Sequence, residues 1–335
     1  MTIREELELR EKEILAPWAA FSAQSRGRSV PEEQCDIRPV FQRDRDRILH
    51  SKSFRRLKDK TQVFLSPDGD HYRTRMTHTL EVSQNARTIA KALRLNEDLV
   101  EAIALGHDLG HTPFGHSGED AMQELYSKDF THYKQSLRVV EKLERDGQGL
   151  NLTWEVRDGI VNHTGKNLAS TLEGVIVKYA DRIAYINHDI DDAMRGGIIY
   201  PMDIPLDISQ ILGFTHGGRI DTLVADVVTA SQGKDEICQS PECGSAMTRL
   251  RAFMFERVYY NPVAKGEESK AKDMLSRLYE HYYNHPETLP EDFQPQMSFD
   301  GLERTVCDYI AGMTDNYAVD KYTEIFIPMG WQVRG

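Results

Sequence analysis

Segment after segment of this chain repeats its apolar residues at helical spacing and almost none alternates them, which restricts the fold to packed helices. In "RTRMTHTLEVSQNARTIAKALRL" the repeat runs through Met76, Leu80, Ala86, Ile89, Ala90 and Leu93; in "NEDLVEAIALGHD" Asn96 is a cap ahead of a Leu99, Ile103, His107 stripe. Gly110 and Pro113 end that helix just past His107, and Ser117 with Asp120 reads as a capping box that opens the next one through Met122 and Leu125. Further helical patterns cover about 133–145, 153–163, 170–194, 217–232, 244–258, 267–284 and 299–318. The least helical stretches are "RSVPEEQCDIRPVF", "LSPDGDHYR" with a turn at Asp68-Gly69, "GGIIYPMDIPLDIS", and the tail after Tyr322. An all-α architecture is expected: one unit over 1–335, with a core at about 40–200, a helical lobe at about 201–335 and a break near Pro201–Gly218.

Such a chain buries enough surface to need no covalent staples. Its four cysteines are scattered, the N-terminus is charged throughout, and no run of about 18 apolar residues occurs, so a reduced, cytoplasmic protein without a membrane span is expected. With 41 Lys plus Arg against 53 Asp plus Glu, the net charge of −12 argues against a general nucleic-acid coat protein. One local reversal stands out: "RDRDRILHSKSFRRLKDK", Arg43 to Lys60, holds eight basic and three acidic side chains. It reads either as a solvated face laced with i,i+4 pairs or as a rim that attracts a small polyanion.

The chemistry concentrates in "ALGHDLGHTPFGHSGEDAM", with His107, His111 and His116 within ten residues of one another. Adjacent His107 and Asp108 at a helix end can face one ion. His78, in phase with Val82, Asn85 and Ile89, is a third candidate, although a lone histidine on such a face is more often a hydrogen-bonded core residue. Asp181 in "VIVKYADRIAYINHDIDD" interrupts an apolar helical stripe, and an unpaired carboxylate there costs several kcal/mol, about what a metal partner would offset. "HDLGH" superficially matches a zinc-peptidase helix, but Asp108 is shorter than the glutamate that motif needs, and Gly110 breaks the helix on which both histidines must sit.

"THTLEV", "HDLGHTPFGHSGE" and "ADRIAYINHDIDD" together resemble the deoxynucleoside triphosphate triphosphohydrolases, dGTPase-like enzymes of the HD-domain superfamily. The likeness extends through "FQRDRDRILHSKSFRRLKDKTQVF", "QSLRVVEKL", "GLNLTWEVRDGIVNHTG" and "DYIAGMTDNYA". It implies an HD-domain helical core and hydrolysis of a dNTP to deoxynucleoside and tripolyphosphate, with water attacking the α-phosphorus. His78, His107, Asp108 and Asp181 match the metal ligands. Two imidazoles with two carboxylates suit Mn²⁺ or Mg²⁺, and also Fe²⁺, Co²⁺ or Ni²⁺. His116 and Glu119 match a catalytic pair in which the carboxylate orients and charges the imidazole, and His111 a histidine beside the phosphates.

The resemblance also implies a substrate site. Arg75, Lys178 and Arg182 would meet the phosphates. Tyr185 would close off space for a 2′-hydroxyl, Asp189 would accept from the 3′-hydroxyl, and Gln62 would touch the sugar. The family pattern reads "HNEQSLR" where this chain has "HYKQSLR", so His132 stands as a substrate-side residue without an assigned role. Family members form homo-oligomers and respond to nucleotide effectors, and the basic run adds single-stranded nucleic acid as a partner to test. Two other readings compete: another HD phosphohydrolase acting on a monophosphate or signalling nucleotide, and a non-catalytic dNTP sensor. The two extra histidines and the glutamate after the HD pair favour triphosphate release over the first. The intact set of motif residues counts against the second.

Overall fold

Cap residues set where the helices start. The computed structural model describes residues 1–62, 73–259 and 262–328, with the backbone alone for 262–266. The elements that carry the site are α1 (Val40–Leu49), α2 (Arg75–Ala92), α3 (Glu97–Gly106), α4 (Gly115–Leu125), α5 (His132–Arg138), α6 (Trp154–Asn162) and α7 (Leu172–Arg195). Behind them come α8 (His216–Ser231), α9 (Pro241–Met254), α10 (Pro262–Asn284), α11 (Leu302–Ala311) and α12 (Asp315–Phe326). Thr74 and Thr77 exchange side-chain-to-backbone bonds at the head of α2, and Asn96 accepts from the Leu99 N–H at 3.2 Å to start α3. The described residues form no sheet, only isolated bridges between Arg28 and Thr153 and between Thr61 and Thr74, so the fold is all-α as expected.

Three expectations change. The helix after the HD pair starts at Gly115, not at a Ser117 cap, because Phe114 turns the chain with φ 61° and Gly115 follows at φ 56°. A Cβ on Gly115 would sit 2.8 Å from the Gln62 carbonyl oxygen, so the turn needs glycine there. Phe114 tolerates its left-handed backbone because its ring is buried and its N–H donates to Asp315 at 3.0 Å. The helix expected over about 299–318 is cut at Gly301, where φ is 82°, and again after Ala311. The tail after Tyr322 stays helical to Phe326 because Tyr322, Ile325 and Phe326 pack on neighbouring helices. The expected Asp68-Gly69 turn lies outside the described residues.

Among the described residues two apolar clusters hold the fold. In the first, α2 packs against α3 and α7, with α1 and α6 closing the sides, through Val82, Ile89, Leu99, Ile103, Ile176 and Ala180. This cluster runs on through Leu223, Val227 and Leu250 of α8 and α9, so the apolar packing does not divide at Pro201–Gly218. The second joins Phe114 and Met122 at α4 to Leu275 and Leu278 of α10 and to Val306 and Ile310 of α11. The loop bearing the HD pair is thus held between the two clusters. Its closest approach is at Gly110, where an added Cβ would lie 2.0 Å from the Ser136 backbone nitrogen and 2.6 Å from the His132 carbonyl oxygen. Gly110→Ala is expected to destabilise the protein by about 3 kcal/mol or more, because backbone rather than a movable side chain blocks it; thermal or urea unfolding measures this.

Candidate active site

His107 sits at the C-terminal end of α3, where its Nδ1–H donates to the Ala104 carbonyl at 2.6 Å. That bond leaves Nε2 with its lone pair, buried and without a hydrogen-bond partner. An orphaned buried nitrogen costs about 1–3 kcal/mol unless something fills it. Around it lie Asp108 Oδ1 at 3.4 Å and Asp181 Oδ1 at 3.7 Å, and His78 Nε2 is 3.1 Å from that same Asp181 oxygen. Ligand atoms of His78, His107 and Asp181 all lie within 4.8 Å of one another. These donors fit a divalent ion of intermediate hardness. Asp108, the fourth expected ligand, lies in an overlapping group with His107 and His163. Its second oxygen accepts from Arg75 Nη1 at 3.1 Å, and Oδ1 meets His111 Nε2 at 3.1 Å.

The electrostatics follow from burial against charge. Burial alone would raise both carboxylates. Neighbouring His107, His111 and Arg75 nevertheless hold Asp108 well below the usual carboxylate range, and His78 with His107 brings Asp181 down to about 2. Burial disfavours the charged form of His78, yet Asp181 and Asp108 carry it above the ordinary imidazole value. In this centre a proton on His78 therefore competes for the place a cation would take.

Beside this group is a second, made of His111, Glu119 and His132, again with ligand atoms within 4.8 Å. Here the structure departs from the expected His116–Glu119 pair. Glu119 accepts from His132 instead, with Oε2 2.9 Å from the ring Nδ1 and Oε1 3.3 Å from the backbone N–H. The reason is tertiary: the start of α5 packs beside α4 and brings the His132 ring to the carboxylate. His132 in turn stacks on His111, ring centroids 4.0 Å apart and planes 12° apart. Stacked rings aim their in-plane lone pairs side by side rather than at one point, which suits proton handling better than chelation. His111 is held well below the usual imidazole value by burial and by Arg75. His116 is open to solvent on one side, but the protein packed around it pushes its pKa down, helped by Arg75.

The expected substrate residues are spread unevenly. Arg75 is buried and committed to Asp108 and to the Gln62 carbonyl at 3.3 Å, with Nε unpartnered; Gln62 is buried with its side-chain oxygen unpartnered. Lys178 does not face the metal group: its ammonium donates to the carbonyls of Gly165 at 2.9 Å and Asn167 at 2.5 Å. Arg182 is exposed and Tyr185 half-buried. Asp189 is buried, accepts from the Tyr259 hydroxyl on Oδ2, keeps Oδ1 free, and is pushed up by burial to about 7.

Three groups escaped the sequence reading. His163 ends α6 as His107 ends α3, with Nδ1 2.7 Å from the Ile160 carbonyl and its ring 4.9 Å from that of His107. The parallel endings "ALGH" and "IVNH" were the signal for it. His188 and Glu81 lie behind His78, and nothing local marks them. The basic run proves mostly neutralised: Arg43 and Arg47 pair with Glu32, Arg45 with Asp98 and Glu101, Lys52 with Asp146, and Lys60 is buried.

Residues 75–186 match the HD domain family, and 237–324 the phosphohydrolase-associated domain family. Over 331 residues the chain is 59% identical to a deoxyguanosinetriphosphate triphosphohydrolase-like protein of Caldanaerobacter subterraneus subsp. tengcongensis, covering 99% of this chain and 98% of that one. The chain belongs to the deoxyguanosinetriphosphate triphosphohydrolase-like family. Similarly named proteins of Desulfatibacillum aliphaticivorans and Clostridium perfringens are 51% and 49% identical, each match covering 98% of this chain and 99% and 98% of theirs. A phosphohydrolase structure from Bacteroides thetaiotaomicron shares the fold, with a TM-score of 0.52 at 15% identity, over 83% of this chain and 67% of that one. This member of the deoxyguanosinetriphosphate triphosphohydrolase-like family is thus an HD-domain hydrolase whose His and Asp groups can hold a metal ion. No helix among the described residues is long and apolar enough to cross a membrane.

Asp181→Ala and His107→Ala are expected to abolish stoichiometric Mn²⁺ binding in equilibrium dialysis. Because the ion binds the unprotonated imidazole and the carboxylates raise the His78 pKa, affinity in the unmodified protein should already start to fall above the ordinary imidazole value of about 6.5 and keep falling as the pH drops. Calorimetry in buffers of different ionisation enthalpy should show proton release on binding.

Proposed function

We propose that the chain hydrolyses deoxynucleoside triphosphates to deoxynucleoside and tripolyphosphate, with water attacking the α-phosphorus. The observation that carries this reading is the adjacency of two groups that share Asp108 as neighbour: His78, His107 and Asp181, able to hold a cation, and His111, Glu119 and His132, able to hold and move protons. A Mn²⁺ or Mg²⁺ ion held by the first group would neutralise charge on the phosphate oxygens and acidify the attacking water.

The protein's own residues supply the rest. Glu119 fixes the His132 ring through Nδ1, leaving Nε2 as the nitrogen that exchanges a proton. His116, reachable from solvent and kept mostly neutral by its lowered pKa, is suited to take a proton from the attacking water and pass it toward the departing 5′-oxygen. Arg75 and Arg182 supply positive charge for the phosphates, while Lys178 acts indirectly by holding the 165–167 loop. Asp189, with one oxygen occupied by Tyr259 and the other free, can accept from a 3′-hydroxyl, and Tyr185 one turn earlier can shape the 2′ side. The free cysteines suit a reducing compartment, and we place the activity in the cytoplasm.

With Mn²⁺ and dGTP, or another dNTP in a screen, the purified protein should release tripolyphosphate, identified by ion chromatography; only orthophosphate or pyrophosphate would refute the reaction. Glu119→Gln and His116→Ala should each lower turnover by about 10²–10⁴-fold while keeping the bound metal. A variant that turns over normally removes its residue from the proton path.

A further inference from the structure

His107 has the proton position on its ring fixed by a backbone carbonyl, but His78 does not. Its Nδ1 faces His188 Nδ1 at 3.4 Å, the rings meeting edge to face with centroids 5.5 Å apart and planes at 86°. Two neutral imidazole nitrogens in contact can share one proton, so one must donate and the other accept. The far end of His188 decides which. His188 Nε2 is paired with a carboxylate oxygen of Glu81, and an ionised carboxylate can only accept. His188 therefore carries its proton on Nε2 and presents Nδ1 as an acceptor, and neutral His78 must hold its own proton on Nδ1. That assignment frees His78 Nε2, the atom 3.1 Å from Asp181 Oδ1, to offer a lone pair to a cation.

The carboxylate at the end of the chain is itself held. Arg73 Nε lies 3.3 Å from both Glu81 oxygens, and Arg73 Nη1 reaches Asp191 at 3.1 Å. His188 is 1% exposed, so water does not offer its Nδ1 another partner. Glu81 and His188 come from the "THTLEV" and "NHDIDD" segments, on α2 and α7 respectively, so the contact also ties together the helices that supply His78 and Asp181.

We infer that Glu81 and His188 are positioning residues that set the His78 tautomer through a carboxylate–imidazole–imidazole chain and so determine how tightly the centre binds a divalent cation. This rests on the reading of His78 as a metal ligand. Without the chain, His78 can place its proton on Nε2 and donate it to Asp181, which blocks ligation. A partner behind a metal-binding histidine typically changes metal affinity by about 10–100-fold.

The test is Mn²⁺ affinity, by calorimetry or by the paramagnetic resonance of free ion, in wild type, Glu81→Leu, His188→Leu and Glu81→Gln. Both leucine variants should bind about 10–100-fold more weakly. Glu81→Gln, whose amide oxygen can still accept from His188 Nε2–H, should recover most of the loss, a rescue that general loss of packing would not show. Leucine variants that bind as tightly as wild type overturn the inference and leave the metal reading standing. Nitrogen-15 histidine spectra of metal-free wild type at mildly alkaline pH give a second readout, with His78 assigned by its absence in His78→Asn. The Nδ1–H form is expected, and a dominant Nε2–H form overturns the chain even if the leucine variants fail to fold. Failure of wild type to bind Mn²⁺ would sink the metal reading, and the spectrum would still decide the tautomer.

Discussion

One buried ion pair, Arg75 with Asp108, organises the site. Both side chains are 4% exposed and their atoms are 3.1 Å apart. Neither charge could remain there alone, since breaking a buried pair costs about 3–5 kcal/mol. The pair joins the first turn of α2 to the residue just past the end of α3. Arg75 also grips the Gln62 carbonyl, while its own N–H donates to the Lys60 carbonyl at 3.0 Å. The Lys60 ammonium then reaches the carbonyls of His111 and Ala311, so the HD loop is bound from both sides.

The C-terminal helices contribute through that loop rather than by reaching into the ligand group. Asp315, at the start of α12, accepts from the Phe114 N–H at 3.0 Å and from the Thr61 hydroxyl at 2.6 Å. Phe114 and Met122 anchor the head of α4 in the second apolar cluster, which fixes where Glu119 points. Two apolar clusters thus meet at the HD loop, one lying with the ligand-type residues and the other with the helix that carries the Glu119 carboxylate. A reaction that needs a cation and a proton carrier within a few ångströms of each other gains from such double support.

The helical period exposed most of the fold because an apolar stripe every 3.6 residues has one low-energy solution in water. The cap at Asn96 and the end of α3 are written locally as well, because a side chain a few residues away satisfies a free N–H group and Gly110 with Pro113 stops the helix. Phe114 resisted: no phenylalanine announces a left-handed backbone, and its conformation is sustained by burial and by Asp315, about two hundred residues away. The Ser117–Asp120 spacing looked like a cap only because that long-range constraint is invisible in a short window.

His107 and Asp108 stood out because they are adjacent at a helix end, and Asp181 because a carboxylate in an apolar stripe demands a partner; His78 joined them as a ligand through the likeness of "THTLEV" to the family pattern. Which partners they found was a matter of tertiary packing. Glu119 met His132 rather than His116, Lys178 turned to a loop backbone, and His163, His188 and Glu81 gathered behind the ligands. The sequence by itself determined the helices and the types of group in the centre. Tertiary structure alone decided the pairings, because hydrogen bonds a few ångströms long join residues that the chain separates by 13 positions, for Glu119 and His132, or by 110, for His78 and His188.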